Sequence, residues 1–269
     1  MTDPTNVDAW ATVGIWRRPS TPRYAGFGSW ILIAGLIGLW QLASGHVIDP
    51  LFVSKPSAIA ARLWSWMVSG FLLYHFEITL LEAMAGFLVG ATAGMILGVA
   101  LGTSSLLYRL SEPIITGLYS LPKVALIPLL VLWFGITIKS KIALAAILVF
   151  FLVFYNTLSG VRTIDRSLLH VVQVMGADRA QSFIYIVIPA ALSSILLGLR
   201  VSLPQAMVGA VVGEIWASSR GLGYLVAYTG SQFDSTGTFA ALLALMILSV
   251  ALIRVLEVFE ARFEAWRYA

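Results

Sequence analysis

Six apolar stretches, each about twenty residues long, leave this chain few ways to fold. They run over roughly 27–45, 78–102, 113–134, 142–160, 187–213 and 238–256. Each is close to the ~20 residues an α-helix needs to cross the hydrocarbon core of a bilayer. Inside that core a segment must satisfy its own backbone hydrogen bonds, so a spanning apolar stretch is a helix. Composition agrees. The chain is 59% hydrophobic and 11% charged, whereas soluble domains are about a quarter charged. The expected fold class is therefore an all-α integral membrane protein with six transmembrane helices.

The ends and connections follow from this frame. Residues 1–26 are polar, contain three prolines and show no signal-peptide pattern, so they read as a solvated N-terminal arm. The spans and their links form one transmembrane domain over 27–260, and 261–269 form a charged tail. In the 46–76 connection, Ser57 to Met67 is amphipathic and carries Trp64 and Trp66, which suits a helix lying at the membrane interface. Six crossings put both termini on one side. If that side is cytoplasmic, ten basic residues lie inside (Arg17, Arg18, Arg23, Arg109, Arg162, Arg166, Arg179, Arg254, Arg262, Arg267) and five outside (Lys55, Arg62, Lys139, Lys141, Arg220). Basic residues concentrate in cytoplasmic loops, so both termini are expected in the cytoplasm.

Ser167 to Pro189 is the long connection that looks helical without looking like a span. Leu168, Leu169, Val171, Val172 and Met175 alternate with His170 and Gln173, as on a helix buried on one face. Gly176 suits the left-handed turn that ends such a helix. Asp178, with Gln181 three residues on, resembles a capping box that restarts it, and Pro189 is placed to open the next helix. The coupling of helix, glycine turn and helix is expected over 161–186. Within the second span, Gly86, Gly90, Gly94, Gly98 and Gly102 recur every fourth residue, a small-residue stripe that lets another helix approach. Pro122 and Pro128 predict a kinked or broken third span, and Gly221, Gly223, Gly230 and Gly237 mark 214–237 as a loop.

Enzyme chemistry finds no foothold. Cysteine is absent, and His46, His75 and His170 are far apart, each read as a boundary or surface histidine, so no metal site is expected. No GxxxxGK[ST] or GxSxG string occurs, and no catalytic residue is assigned. No basic stripe interleaved with aromatics points to nucleic acid. The informative ionisable residues are those at membrane depth, each costly there. Lys123 lies between the two prolines of the third span and Arg200 within the fifth; Glu77 and Glu82 lie at the start of the second, and Glu214 at the end of the fifth. Lys123, Arg200 and Glu214 are the candidates for a substrate pathway. Snorkelling or an internal ion pair is the alternative use of such charges.

Several of these strings together resemble permease subunits of ATP-binding-cassette importers, and specifically the nitrate/sulfonate/taurine/bicarbonate branch. They are LPKVALIPLLVLWFGITIKSKIAL (121–144), GADRAQSFIYIVIPAALSSILLGLR (176–200), GEIWASSRGLGYLV (213–226) and the glycine stripe. The family's cytoplasmic loop carries Glu-Ala-Ala, then Gly, then Pro. Gly176 and Pro189 stand at that spacing, while His170, Val171 and Gln173 replace the Glu and the two Ala. The resemblance implies a type I importer permease fold whose coupling helix, through Leu169, His170, Val172, Gln173, Met175, Gly176, Ala177, Asp178 and Pro189, docks on an ATPase. It also implies a homodimer in the bacterial inner membrane, two ATPase subunits that bind ATP and Mg, and an external binding protein delivering a small anionic solute. This chain itself would be non-catalytic and without a cofactor. A secondary transporter driven by an ion gradient is the alternative; it would need acidic residues deep in a span, and Glu82 lies near an end.

Overall fold

The computed structural model describes residues 24–267. The expected arm over 1–26 therefore lies almost wholly outside the described residues, as do the side chains of 261–269. The described chain is nearly all helix: α1 (Tyr24–Ala43), α2 (Pro56–Val68), α3 (Phe71–Thr103), α4 (Ser105–Ser120), α5 (Ile127–Phe134), α6 (Ile138–Arg162), α7 (Arg166–Val174), α8 (Arg179–Ser182), α9 (Ile188–Ala217), α10 (Leu222–Ser231) and α11 (Ser235–Arg267).

Four helical segments are long and apolar enough to cross a membrane: Phe71–Thr103, Ile138–Arg162, Arg179–Ala217 and Ser235–Val258. The bent pair α4–α5 makes a fifth. Five of the six expected crossings thus meet that length and hydropathy among the described residues. The first appears as α1, whose apolar described part, Trp30–Ala43, is shorter than a span.

The third span is broken, and the reason is local. Leu121 precedes a proline, and ring contacts push such a residue out of the helical region; its φ and ψ are −67° and 136°. The chain then makes one 3-10 turn over Lys123–Leu126 before α5 begins with Pro128 in its first turn. The two halves meet at 86°.

The core is α3, α6 and α9 packed side by side. Glycines set their spacing. A side-chain carbon at Gly90 or Gly86 would strike Ala146 O or Ala145 Cβ; at Gly94 it would lie 2.8 Å from Phe150 O, and at Gly98 and Gly102 2.7 Å from the Cβ atoms of Thr157 and Val161. The five-glycine stripe of α3 therefore faces α6 along its length. From the other side, Gly209 and Gly198 of α9 close on Ala145 and Asn156. Direct backbone approach maximises van der Waals contact, which drives helix association where lipid removes the hydrophobic incentive.

Two boundaries differ from expectation. The helix leading into α9 starts at Arg179, not Pro189: α8 passes through a π-helical turn, Phe183–Val187, straight into α9. Pro189 sits in the first turn of α9, where the wider π turn absorbs its missing N–H. The 214–237 connection is not a plain loop, because Leu222–Ser231 form α10.

Candidate functional site: a loop helix, an intramembrane lysine and a buried polar latch

The connection after α6 forms helix, turn, helix. Asp165 precedes α7 and its Oδ1 accepts the Ser167 N–H at 2.8 Å, which holds its carboxyl below the usual carboxylate range. After α7, Gly176 takes φ +88° with nothing within 4 Å of where a side chain would begin. Ala177 N–H bonds back to Val172 O at 3.1 Å, closing the helix end. Asp178 then caps α8 with a reciprocal box: its Oδ1 accepts Gln181 N–H at 2.7 Å, and Gln181 Oε1 accepts Asp178 N–H at 2.9 Å. The side chains of Leu169, His170 and Gln173 lie outside the described residues; Val172 and Ala177 are half-buried, and Pro189 is exposed. Val174 is 89% exposed and Met175 80%, with Leu168 and Val171 also open. So α7, about 13 Å long at 1.5 Å per residue, presents apolar side chains that the other described residues leave exposed.

Lys123 sits in the break of the third span. Its Nζ donates to Tyr119 O at 2.6 Å and lies 4.1 Å from the centre of the Tyr119 ring and 5.0 Å from that of Phe151. Phe151 is near the middle of α6, so the ammonium lies level with the middle of that apolar helix. It borders a cavity of about 410 Å³ between α3, α4 and α6. Neither Arg200 nor Glu214 lines that cavity. Arg200 reaches Glu257 of α11 at 3.5 Å, and Glu257 also takes Arg254 at 3.1 Å. The three substrate-pathway candidates therefore do not meet in one place.

Glu214 belongs to a buried polar cluster at the far end of α3, α6 and α9 from α7. Its Oε1 accepts the Thr79 hydroxyl at 2.6 Å, and its Oε2 the Gly223 N–H at 2.6 Å. Thr79 Oγ1 in turn accepts Leu222 N–H at 2.8 Å, and His75 Nδ1 accepts Gly221 N–H at 3.0 Å. Three successive backbone N–H groups of the α9–α10 turn are thus held by α3 and α9. Gly221 has φ +102°, and a side chain there would overlap the Glu214 carboxyl. Glu82 lies beside Glu214, and Lys141 faces both; all three are almost fully buried. Buried polar groups are costly unless hydrogen-bonded; Glu214 is satisfied by Thr79 and Gly223 and Lys141 Nζ donates to Thr137 O, whereas Glu82 Oε2 is buried without a hydrogen-bond partner.

The cluster corrects one expectation. His75 is a buried latch residue, 4% exposed, not a boundary histidine. Sequence reasoning missed the grouping, although a signal was present. His75, Thr79 and Glu82 are spaced four and three apart, which places them on one face of α3. Among the described residues no group of histidine and acidic residues could hold a metal ion.

Apolar spans, a proline-broken helix pair and an exposed loop helix together describe a polytopic helical membrane protein. The chain belongs to the family of binding-protein-dependent transport system inner membrane components, whose profile matches residues 90–265; it is an ABC importer permease. It is 32% identical over 98% of its length, and 94% of the relative's, to a Bacillus subtilis permease protein named for aliphatic sulfonates transport. It is 33% identical to the riboflavin transport system permease protein of Chloroflexus aurantiacus, covering 86% of this chain and 87% of that one. With the Escherichia coli taurine transport system permease protein it shares 29% identity, over 84% of each chain. The fold resembles a chain of an inward-facing methionine ABC transporter, with TM-score 0.55 and 20% identity over 74% of this chain and 94% of that one.

Proposed function

We propose that this permease works as a pair of identical chains, docked on two ATPase subunits that bind ATP and Mg at the cytoplasmic face. An external binding protein delivers a small, anionic solute to it. Both termini lie in the cytoplasm of a bacterium and the spans in its inner membrane. The observation that carries this reading is α7. A short rigid helix at one end of the bundle, with Val174 and Met175 almost fully exposed, has the form of an element that fills a partner's groove. Movement of that partner on ATP binding would be passed through the π turn into α9, which belongs to the three-helix core. The same movement must bias two states of the pathway if it is to drive transport. The anionic solute is supported by the intramembrane Lys123 and by the sulfonate and taurine names of two relatives.

The test is reconstitution with a candidate ATPase and binding protein. Stable co-purification, with ATP-dependent uptake only in the full complex, is expected. Met175→Glu should leave membrane insertion intact, keep ATP hydrolysis within about twofold, and cut uptake at least tenfold, because a charge enters an apolar contact. Uptake by the chain alone in liposomes, driven by an ion gradient without ATP, would overturn the reading.

A further inference from the structure

No residue of α4 is buried, yet the helix runs beside α6 at the depth of a span. The Arg162 guanidinium, at the end of α6, lies 3.8 Å from the centre of the Tyr108 ring. The Tyr119 ring is centred 4.9 Å from that of Tyr155 and 5.7 Å from that of Phe151, near the middle of α6. Between these contacts the α4 sequence sorts into two exposed lines. Glu112, Thr116 and Ser120 recur every fourth residue on one edge. Leu110, Ile114 and Leu118 recur at the same spacing two residues earlier, about 160° around the axis. Tyr108, Ser111 and Ile115 fall between the lines and are half-buried, so that side packs on the rest of the chain.

Two edges of such opposite character do not suit one solvent. The leucine edge suits lipid, and Leu118 with Leu121 also borders the apolar cavity between α3, α4 and α6. The polar edge does not. Ser120 satisfies its own hydroxyl on Thr116 O at 2.9 Å, but the Glu112 carboxylate accepts one hydrogen bond, from the Tyr108 hydroxyl at 2.8 Å. A carboxylate has about four acceptor sites, and an ionisable group at membrane depth faces a partner or a water-filled cavity. We infer that the Glu112, Thr116 and Ser120 edge of α4 is the wall of a water-filled half-channel that stops at the Pro122 break, while the opposite edge faces lipid. Beyond the break α5 reads IPLLVLWF, without a hydroxyl, amide or charge, so nothing carries the polar line further. With the Arg162 guanidinium over the Tyr108 ring and the Glu112 carboxylate on its hydroxyl, the mouth holds charges of both signs. It suits a polar solute that enters with its water shell. One helix edge cannot enclose water, so the opposite wall comes from the second copy of the chain. The inference rests on the permease reading, which supplies that copy.

The experiment places single cysteines in the full chain, which has none of its own, and uses open membrane fragments in which both faces are reachable. The probe is a charged, water-soluble methanethiosulfonate. Thr116→Cys and Ser120→Cys, both close in size to the parent side chains, should label within about tenfold of the rate of Ala180→Cys, exposed on α8. Ile114→Cys and Leu118→Cys should label at least a hundredfold more slowly than Ala180→Cys. Ala244→Cys, in the core, should stay as slow as these in folded protein, and all should label fully in detergent denaturant. Equally slow labelling at all four α4 positions would overturn the inference, because the polar edge would then be sealed by lipid or protein. Equally fast labelling at all four would also overturn it, since α4 would not be embedded. The permease reading fails by a different measurement, the absence of ATP-dependent uptake with an ATPase, so the two failures are distinguishable.

Discussion

Ala145 has Gly86 of α3 on one side and Gly209 of α9 on the other, and it is completely buried. One methyl group therefore sets the distance between three helices. Ala145→Leu would force apart two interfaces at once, where overpacking one costs about 1–3 kcal/mol. Loss of monodisperse protein on size exclusion is the expected outcome; a normal profile would show that the helices separate without penalty. Glycines of positive φ separate in the same way. At Gly176 only the left-handed backbone matters, a cost of ~1–2 kcal/mol for a side chain, because the surrounding space is open. At Gly221, φ +102° and ψ 165° lie in a region essentially reserved for glycine, and a side chain would also overlap the Glu214 carboxyl. Gly176→Ala should lower the melting temperature slightly, and Gly221→Ala should lower it several times more. Equal shifts would mean that the latch yields freely.

Between elements, polar side chains fasten what apolar packing only brings near. Asp234 precedes α11, and its Oδ1 caps the helix by accepting Gly237 N–H at 3.0 Å. Its Oδ2 takes Arg62 of α2 at 2.6 Å, in a pair about one-third exposed. Surface pairs of this kind contribute ~1 kcal/mol or less, and an N-cap about 1 kcal/mol. Asp234→Asn keeps the cap and should cost well under 1 kcal/mol, while Asp234→Ala should cost about 1–2 kcal/mol, read from thermal unfolding in detergent. If the two variants melt alike, the cap contributes nothing. The same contrast governs α10. Its ten residues include Gly223 and Gly230 and carry weak helical propensity. They form a helix because Glu214 and Thr79 hold the first backbone N–H groups, and because Gly223 can pack against Val211 O. No local pattern announces such a helix, so the segment reads as a loop in sequence.

For the whole molecule, α7 and the Glu214 latch lie at opposite ends of the same three helices. Rigid helices packed through glycine contacts transmit a displacement at one end to the other, since close-packed interiors deform little. The proposed orientation, with the α7 end in the cytoplasm, is directly testable because the sequence contains no cysteine. Ser231→Cys, at the exposed C-terminal end of α10, should react with a membrane-impermeant thiol reagent in intact cells. Ala180→Cys, exposed on α8, should react only after permeabilisation. The reverse pattern would invert the topology.

Which segments enter the bilayer was legible in the sequence, because hydrocarbon length and backbone satisfaction leave one solution for an apolar stretch of twenty residues. The break at Pro122 and the turn at Gly176 were legible for a similar reason: ring geometry and the missing side chain act within one or two residues. The glycine stripe announced a close helix neighbour but not its identity. That α6 fills it, that Ala145 is shared with α9, and that His75, Thr79, Glu82, Lys141 and Glu214 converge on one turn were decided only in three dimensions. His75 lies 146 positions from the Gly221 whose N–H it accepts, and nothing local relates these residues. Burial in a common core does so, because each of these polar groups must find a partner there or stay in water.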